Sequence, residues 1–370
     1  MKHPFLSLSD ENEPFAERMS EAAGRVVRSG MYIGGSEVDA FERALAESMS
    51  VGCVVGVSNG LDALRLILSA LVELKKLQPG DEVIFPANTF IATALAISQA
   101  GLTAVAADVD PSTMLLSATT VEDALTERTR AILPVHLYGR VCAEPSLSAL
   151  AASRGLIIVE DAAQAIGANG VGKIGVAAAL SFYPTKNLGA VGDGGAVVTD
   201  NPAIAEMVRR LANYGCSERN HYPIAGYNCR LDPIQAAMLG VKLPYLAEIN
   251  ERRADVAATY SREIVNPLVK KPAAALDGKM VWHQYVVAVP ADVRDDFRSY
   301  LSRNGVATDI HYPVPVHCQP PFVGSVSRQL PVVEALARQI VSLPVGAPTN
   351  VDAAREIAAV INSWNPLRNL

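Results

Sequence analysis

Residues 181–200 read Ser-Phe-Tyr-Pro-Thr-Lys-Asn-Leu-Gly-Ala-Val-Gly-Asp-Gly-Gly-Ala-Val-Val-Thr-Asp. Leu180–Phe182 reads as a short apolar strand and Ala196–Thr199 as another, with a glycine-rich turn between them. Lys186 follows the first strand and directly precedes the glycines. A solvated loop lysine needs neither neighbour. Desolvation and nearby positive charge lower a lysine pKa and make its amine a competent nucleophile. Ser181, at the same strand end, adds a hydroxyl suited to a phosphate.

Upstream, short β-branched runs alternate with Ala/Leu-rich helical stretches. Candidate strands are Val54–Val57, Val83–Phe85, Thr103–Ala107, Ala131–Pro134 and Ile157–Glu160. Helical patterns lie between several of them, at Asp62–Leu74, Ala92–Ala100, Val121–Leu125 and Leu147–Arg154. Strands that are apolar throughout suit a sheet covered on both faces. Strand–helix alternation predicts a mostly parallel α/β sheet with right-handed crossovers. Such sheets bind ligands beyond the carboxyl ends of their strands.

The pattern changes after Tyr245. A charged helical stretch, Pro244–Ile264, leads to a strand-like Gln284–Val289, a helical Asp292–Arg303, the Pro-rich HYPVPVHCQPP and a closing helix, Asp352–Trp364. The expected division is residues 1–245 as a large domain and 246–370 as a smaller α+β domain.

The polar residues at strand ends carry the chemistry. The run Ile157-Ile158-Val159-Glu160-Asp161-Ala162-Ala163-Gln164 ends an apolar strand in a carboxylate. Asp161 is either a helix N-cap or a carboxylate held against a protonated heterocyclic nitrogen. Val57-Ser58-Asn59-Gly60-Leu61-Asp62 runs a strand into a glycine turn that opens a helix, a ready anion site. Phe90, in Pro86-Ala87-Asn88-Thr89-Phe90, is either a core aromatic or a ring available for stacking. Asn228 and Arg230 precede a helix that starts at Pro233, and a structural salt bridge explains Arg230 equally well. His136, in PVHLYG, reads with equal weight as a satisfied core or cofactor-adjacent histidine or as a catalytic acid.

Composition narrows the function classes. The chain has 370 residues, half of them hydrophobic, which is ample for a large core. A net charge of −6 argues against nucleic acid or an anionic membrane as partner. The N-terminal MKHPFLSLSDENEPF lacks the pattern of a signal peptide, and no apolar run reaches the roughly 18 residues of a membrane helix. The five cysteines, Cys53, Cys142, Cys216, Cys229 and Cys318, form no C-x-x-C pair. Their odd number suits a reduced, cytoplasmic protein without a metal site.

Taken together, SFYPTKNLGAVGDGGAVVTD, EDAAQAIGA, PANTFIATALA, PVHLYGR and YNCRLDPIQAAML resemble the DegT/StrS-type nucleotide-sugar aminotransferases. The resemblance runs from Tyr32-Ile33-Gly34-Gly35 to HYPVPVHCQP. It implies the fold of the fold-type-I pyridoxal-phosphate enzymes: a large domain with a mostly parallel seven-stranded sheet and a smaller C-terminal domain. It implies that Lys186 holds pyridoxal 5'-phosphate as a Schiff base, that Asp161 pairs with the pyridinium nitrogen, and that Gln164 lies near the phenolic oxygen. Phe90 would stack on the ring, while Gly60, Leu61 and Ser181 hold the phosphate. Asn228 would reach the cofactor of a second subunit, making a homodimer with shared active sites.

Related sugar dehydratases carry His in place of Lys186, so the lysine favours transamination. SNGLDAL and the lysine segment are similar to the branch that aminates carbon 3 of dTDP-linked 3-keto-6-deoxyhexoses with L-glutamate as donor. Carbon-4 enzymes of the perosamine type are the alternative. Candidate substrate contacts are Tyr183, Arg219, His221, Tyr222, Tyr312 and His317, whose cations suit a diphosphate. One departure stands out. Gly172-Lys173-Ile174-Gly175 replaces the Gly-Ser-x-Gly-Asp common in the family. Two other classes make different demands. A regulatory protein of this fold needs no Lys186, Asp161 and Gln164 together, and a cysteine desulfurase needs a cysteine in a mobile loop.

Overall fold

Apolar strands that bury both faces need helices above and below, and the chain supplies them. The computed structural model describes residues 1–274, 280–325 and 329–366. Seven strands form the main sheet: β1 (Cys53–Val57), β2 (Glu82–Pro86), β3 (Thr103–Ala107), β4 (Thr129–Ile132), β5 (Ile157–Asp161), β6 (Ala177–Ser181) and β7 (Gly195–Thr199). Their spatial order is β1-β7-β6-β5-β4-β2-β3. Only β7 runs against its neighbours; every other pairing in this sheet is parallel. The mostly parallel seven-stranded sheet is therefore as expected.

Several element boundaries differ from the sequence reading, and three of the differences have a local cause. The fourth strand is Thr129–Ile132 and stops short of Pro134, whose ring nitrogen has no hydrogen to donate to a ladder. The helix expected at Val121–Leu125 is Ala118–Glu122. A capping box sets its start: Thr120 N–H donates to Ser117 Oγ at 3.2 Å, and Ser117 N–H donates to Thr120 Oγ1 at 2.9 Å. The strand β6 begins at Ala177, three residues before the expected Leu180. Alanines rarely signal a strand, yet here they are buried on both faces and let helix Gly60–Glu73 pack closely across β6.

A second, two-stranded antiparallel sheet pairs β8 (Tyr285–Ala288) with β9 (Ile340–Leu343). Helices Leu246–Glu263, Arg294–Arg303 and Val351–Ser363 belong to the same unit, and Val256, Tyr260, Tyr285, Phe297 and Trp364 form its core. Neither β9 nor helix Pro331–Gln339 was foreseen. The N-terminus reaches this unit as well. His3 pairs with Val306, Ser7 N–H donates to Ala347 O at 3.0 Å, and Glu11 lies 3.7 Å from Arg253. Among the described residues no helix is long and apolar enough to cross a membrane, and no cluster of metal ligands occurs.

Candidate active site

Strands β5 and β6 are parallel neighbours, so Asp161 and Ser181 emerge at the same edge of the sheet. The turn after β6 brings Lys186 back to that edge. Lys186 N–H donates to Tyr183 O at 2.8 Å, and Ala190 N–H donates to Phe182 O at 2.8 Å. The Lys186 side chain is half-buried, and among the described residues its Nζ makes no hydrogen bond. Burial brings its pKa down to about 8, against the opposing pull of the Asp161 charge. At pH 8 about half of the amine is then neutral, roughly a hundredfold more than for a solvated lysine.

Asp161 is 5% exposed. Burial raises its pKa, and hydrogen bonds oppose the rise. Thr93 Oγ1 donates to its Oδ2 at 2.8 Å, and Ala163 N–H donates to its Oδ1 at 3.1 Å. Thr93 in turn lies 2.8 Å from Thr89. A buried carboxylate with one oxygen on a threonine and the other on an amide is oriented, yet short of a strong cation. That environment suits a partner with a protonated ring nitrogen.

A candidate anion-binding end is offered by helix Gly60–Glu73. Asn59 caps it: Asp62 N–H donates to Asn59 Oδ1 at 2.8 Å, and Ala63 N–H donates to Asn59 O at 3.0 Å. The amides of Gly60 and Leu61 are left as first-turn donors. A Cβ on Gly60 would lie 2.7 Å from Ser181 Cβ and 3.2 Å from Ser181 Oγ. Only glycine lets this helix end approach the serine so closely. An anion cup at one end, an oriented carboxylate at the other and an unbonded lysine between them fit pyridoxal 5'-phosphate.

Gln164 and Phe90 join a further group. Gln164 Oε1 accepts from Tyr138 N–H at 2.6 Å, and Gln164 Nε2 donates to Tyr312 Oη at 3.1 Å. The Phe90 ring is 53% exposed and 5.5 Å from the Tyr312 ring. Phe90 is thus not a core aromatic, and Tyr312 comes from the C-terminal part to meet it. Tyr183 is exposed on the lysine turn.

The other candidate substrate residues lie apart. Arg219, His221 and Tyr222 are exposed on a surface turn, where His221 Nδ1 is 2.7 Å from Ser217 Oγ. Among the described residues no hydrogen bond or ring contact joins them to Lys186, Asp161 or Gln164. His317 is buried, 3.4 Å from Glu334. Asn228 is exposed and pairs with Asn213. Arg230 donates to Asn213 Oδ1 at 2.7 Å and lies over Tyr214, which gives it a structural partner but not a salt bridge.

His136 resolves to one of its two readings. It is fully buried; its Nδ1 accepts from Cys142 N–H at 3.1 Å and its Nε2 donates to Glu160 at 2.9 Å. Both ring nitrogens are used, so it is a satisfied core histidine. Glu160 also accepts from Gly172, Ile174 and Gly175 N–H at 2.8, 3.0 and 2.7 Å. The turn that departs from the family pattern is therefore pinned from below. Lys173 points to Ser50 O and Asp200, at 2.7 and 2.9 Å.

Sequence reasoning missed Thr93, Asn187 and His283. Thr93 lies within PANTFIATALA, one helical turn beyond Thr89. Asn187 is buried beside Lys186, and its Oδ1 is 3.1 Å from His283 Nδ1. Its only sequence signal is adjacency to the lysine.

The DegT/DnrJ/EryC1/StrS aminotransferase family matches residues 15–362. The dTDP-3-amino-3,4,6-trideoxy-alpha-D-glucose transaminase of Streptomyces venezuelae is 42% identical, over 98% of this chain and 96% of its own. The crystal structure of S. venezuelae DesV in complex with a ketimine intermediate aligns with a TM-score of 0.93 at 42% identity, covering 98% of both chains. NtdA from Bacillus subtilis, solved with bound cofactor PMP, aligns with a TM-score of 0.91 at 30% identity, over 98% of this chain and 86% of that one. The chain belongs to the DegT/DnrJ/EryC1/StrS family and is a pyridoxal-phosphate-dependent sugar aminotransferase with the fold-type-I architecture.

Proposed function

We propose that this chain transfers the amino group of L-glutamate to carbon 3 of a dTDP-linked 3-keto-6-deoxyhexose, giving a dTDP-3-amino sugar and 2-oxoglutarate. The observation that carries transamination is a half-buried Lys186, with its pKa brought down to about 8, facing the buried carboxylate of Asp161. When bound, pyridoxal 5'-phosphate supplies an electron sink for carbanion charge. Lys186 Nζ would hold the cofactor and, freed when the donor amine binds, would move a proton from the donor's α-carbon to the cofactor's C4′, acting first as general base and then as general acid. Asp161 would keep a proton on the ring nitrogen, and Gln164 would lie near the phenolic oxygen. Gly60, Leu61 and Ser181 would bind the phosphate, and Phe90 would stack on the ring.

Carbon 3 rests on two supports. SNGLDAL is similar to the 3-amino branch, and the 42% relative carries a 3-amino sugar in its name. The active unit in this reading is a homodimer: Asn228 is exposed, which leaves its side chain open to a neighbouring subunit. Tyr183, Tyr312, Arg219, His221, Tyr222 and His317 remain candidates for the nucleotide sugar, with the surface turn completed by the second subunit. The working division of the chain is 1–245 and 246–370. The test offers a dTDP-3-keto and a dTDP-4-keto-6-deoxyhexose separately with glutamate. Turnover of the 3-keto sugar with ping-pong kinetics is expected, and turnover of the 4-keto sugar alone overturns the assignment. Lys186→Ala should abolish both activity and the visible absorbance of the covalently held cofactor.

A further inference from the structure

The phosphate cup contains a charge that ought to spoil it. Asp62 sits in the first turn of helix Gly60–Glu73, two residues from Gly60. A carboxylate there favours an empty helix N-terminus, but it repels an arriving phosphate dianion. The structure answers this charge locally. Asp62 Oδ2 accepts from Ser58 Oγ and, at 3.0 Å, from Asn59 Nδ2. Its Oδ1 accepts from Arg65 Nη2 at 2.5 Å. Both side chains of this pair are largely buried, so solvent screens it less than a surface pair.

Arg65 is held where it faces Asp62 and the wall behind it. Its Cζ stacks 4.0 Å over the Tyr227 ring, and Nη2 also donates to Cys229 Sγ at 3.0 Å. Its Nε is buried without a partner. An arginine that wasted a donor merely to pack would be replaceable by an apolar side chain of similar length. Here the guanidinium neutralises a carboxylate beside the anion site.

We propose that Arg65 is a positioning residue for the cofactor, which holds and neutralises Asp62 so that the Gly60–Leu61 amides can accept a phosphate dianion. The inference rests on the reading that the Gly60–Ser181 cup binds the phosphate. It adds that the cup's affinity is set by an ion pair that does not touch the phosphate.

The experiment titrates the cofactor-free full chain with pyridoxal 5'-phosphate and, separately, with pyridoxal, following visible absorbance. Arg65→Met should weaken the phosphorylated cofactor about tenfold or more and leave pyridoxal unchanged, because only the phosphate meets the exposed Asp62 charge. Asp62→Asn, Arg65→Met together should restore affinity to within about threefold, since both charges are gone. Arg65→Lys should bind close to wild type. Equal weakening of pyridoxal, or a double variant as weak as Arg65→Met, overturns the proposal by showing that Arg65 acts through packing. If Arg65→Met does not fold, Asp62→Asn decides alone: it should bind at least as tightly as wild type, and a loss of affinity overturns the idea. Ser181→Ala separates the two readings. If it leaves affinity untouched, the cup itself is misassigned. If it weakens binding while Arg65→Met does not, only the ion-pair proposal fails.

Discussion

Lys186→Met should stabilise the cofactor-free protein at neutral pH. The folded state brings the Lys186 pKa from 10.5 to about 8, and the attraction of Asp161 is already contained in that value. Below pH 8 both folded and unfolded chains carry the proton, and the folded state bears the whole cost of a buried ammonium. Between about 8 and 10.5 the folded state releases its proton first, so the unfolded chain binds more protons and stability rises with pH. Above 10.5 the cost is gone. At about 1.4 kcal/mol per pH unit the window bounds the cost at about 3.5 kcal/mol. Partial solvent contact trims it to about 1–3 kcal/mol. Methionine has similar length and no charge, so the variant never bears that cost. Urea unfolding of both proteins at pH 7, 8.5 and 10 measures it. The variant should be more stable at pH 7, by less at 8.5, and nearly equal at 10. A variant less stable at pH 7, or a difference that does not change with pH, would refute the reasoning, because then the ammonium is not desolvated by the fold.

Gly60→Ala places a Cβ 2.7 Å from Ser181 Cβ. It should cost pyridoxal 5'-phosphate about tenfold or more in affinity by spoiling the cup, read by cofactor titration, while thermal unfolding of the free protein moves little because alanine recovers up to about 1 kcal/mol of helix propensity. Asp161→Asn should keep Lys186 able to capture the cofactor but lower kcat by about a hundredfold or more, with the sugar KM nearly unchanged, in steady-state assays. Glu160→Gln weakens the support of His136 and of the 172–175 turn, and should lose about 2–4 kcal/mol of stability in chemical unfolding. Glu160 is ionised below the ordinary carboxylate range: burial opposes ionisation, but the His136 bond and charge and the turn amides outweigh it. Its contribution is therefore present at neutral pH and lost as pH falls below that range, a loss that the variant should not show.

The strand-end positions of the candidate site were readable in advance. Lys186, Asp161 and the Gly60 turn each sit at a strand end, where the fold class alone says a ligand goes. The parts set by packing between distant segments were not. Thr93 reaches Asp161 across 68 residues of chain, and Tyr312 reaches Gln164 across 148. The strand at Ala177 was read late because alanine carries no strand signal, although small side chains are what the helix packed on β6 requires. The Arg219–Tyr222 turn shows the reverse limit. Its residue types suit a diphosphate, yet within one chain it is a surface hairpin, and sequence cannot say which molecule's site a loop serves.

The Lys186 side chain makes no hydrogen bond among the described residues, while the turn around it is held on several sides, and this contrast explains the shape of the turn. Asn187 Nδ2 donates to Asn250 Oδ1 at 2.7 Å and to Val281 O at 3.0 Å. With both those bonds from its amide nitrogen, Asn187 Oδ1 must accept, so His283 Nδ1 carries the proton. Burial keeps His283 neutral, and the Lys186 charge pushes the same way. Two residues further on, the buried Lys242 donates to Gly189 O at 2.9 Å and to Asn12 Oδ1 at 2.9 Å. A Cβ at Gly189 would lie 2.2 Å from Pro184 O, so the turn closes on itself with no room for a side chain. In the proposed function Lys186 is displaced and recaptured in each catalytic cycle, so strong bonds of its own would have to be broken every turnover. Its precision has to come from the backbone. Asn250 of helix Leu246–Glu263 and the 281–283 segment hold the Asn187 side chain, and Asn12 backs the Lys242 that holds Gly189 O, all within three residues of Lys186. The remote parts of the chain thereby fix where Nζ starts from, and leave Nζ itself free to move.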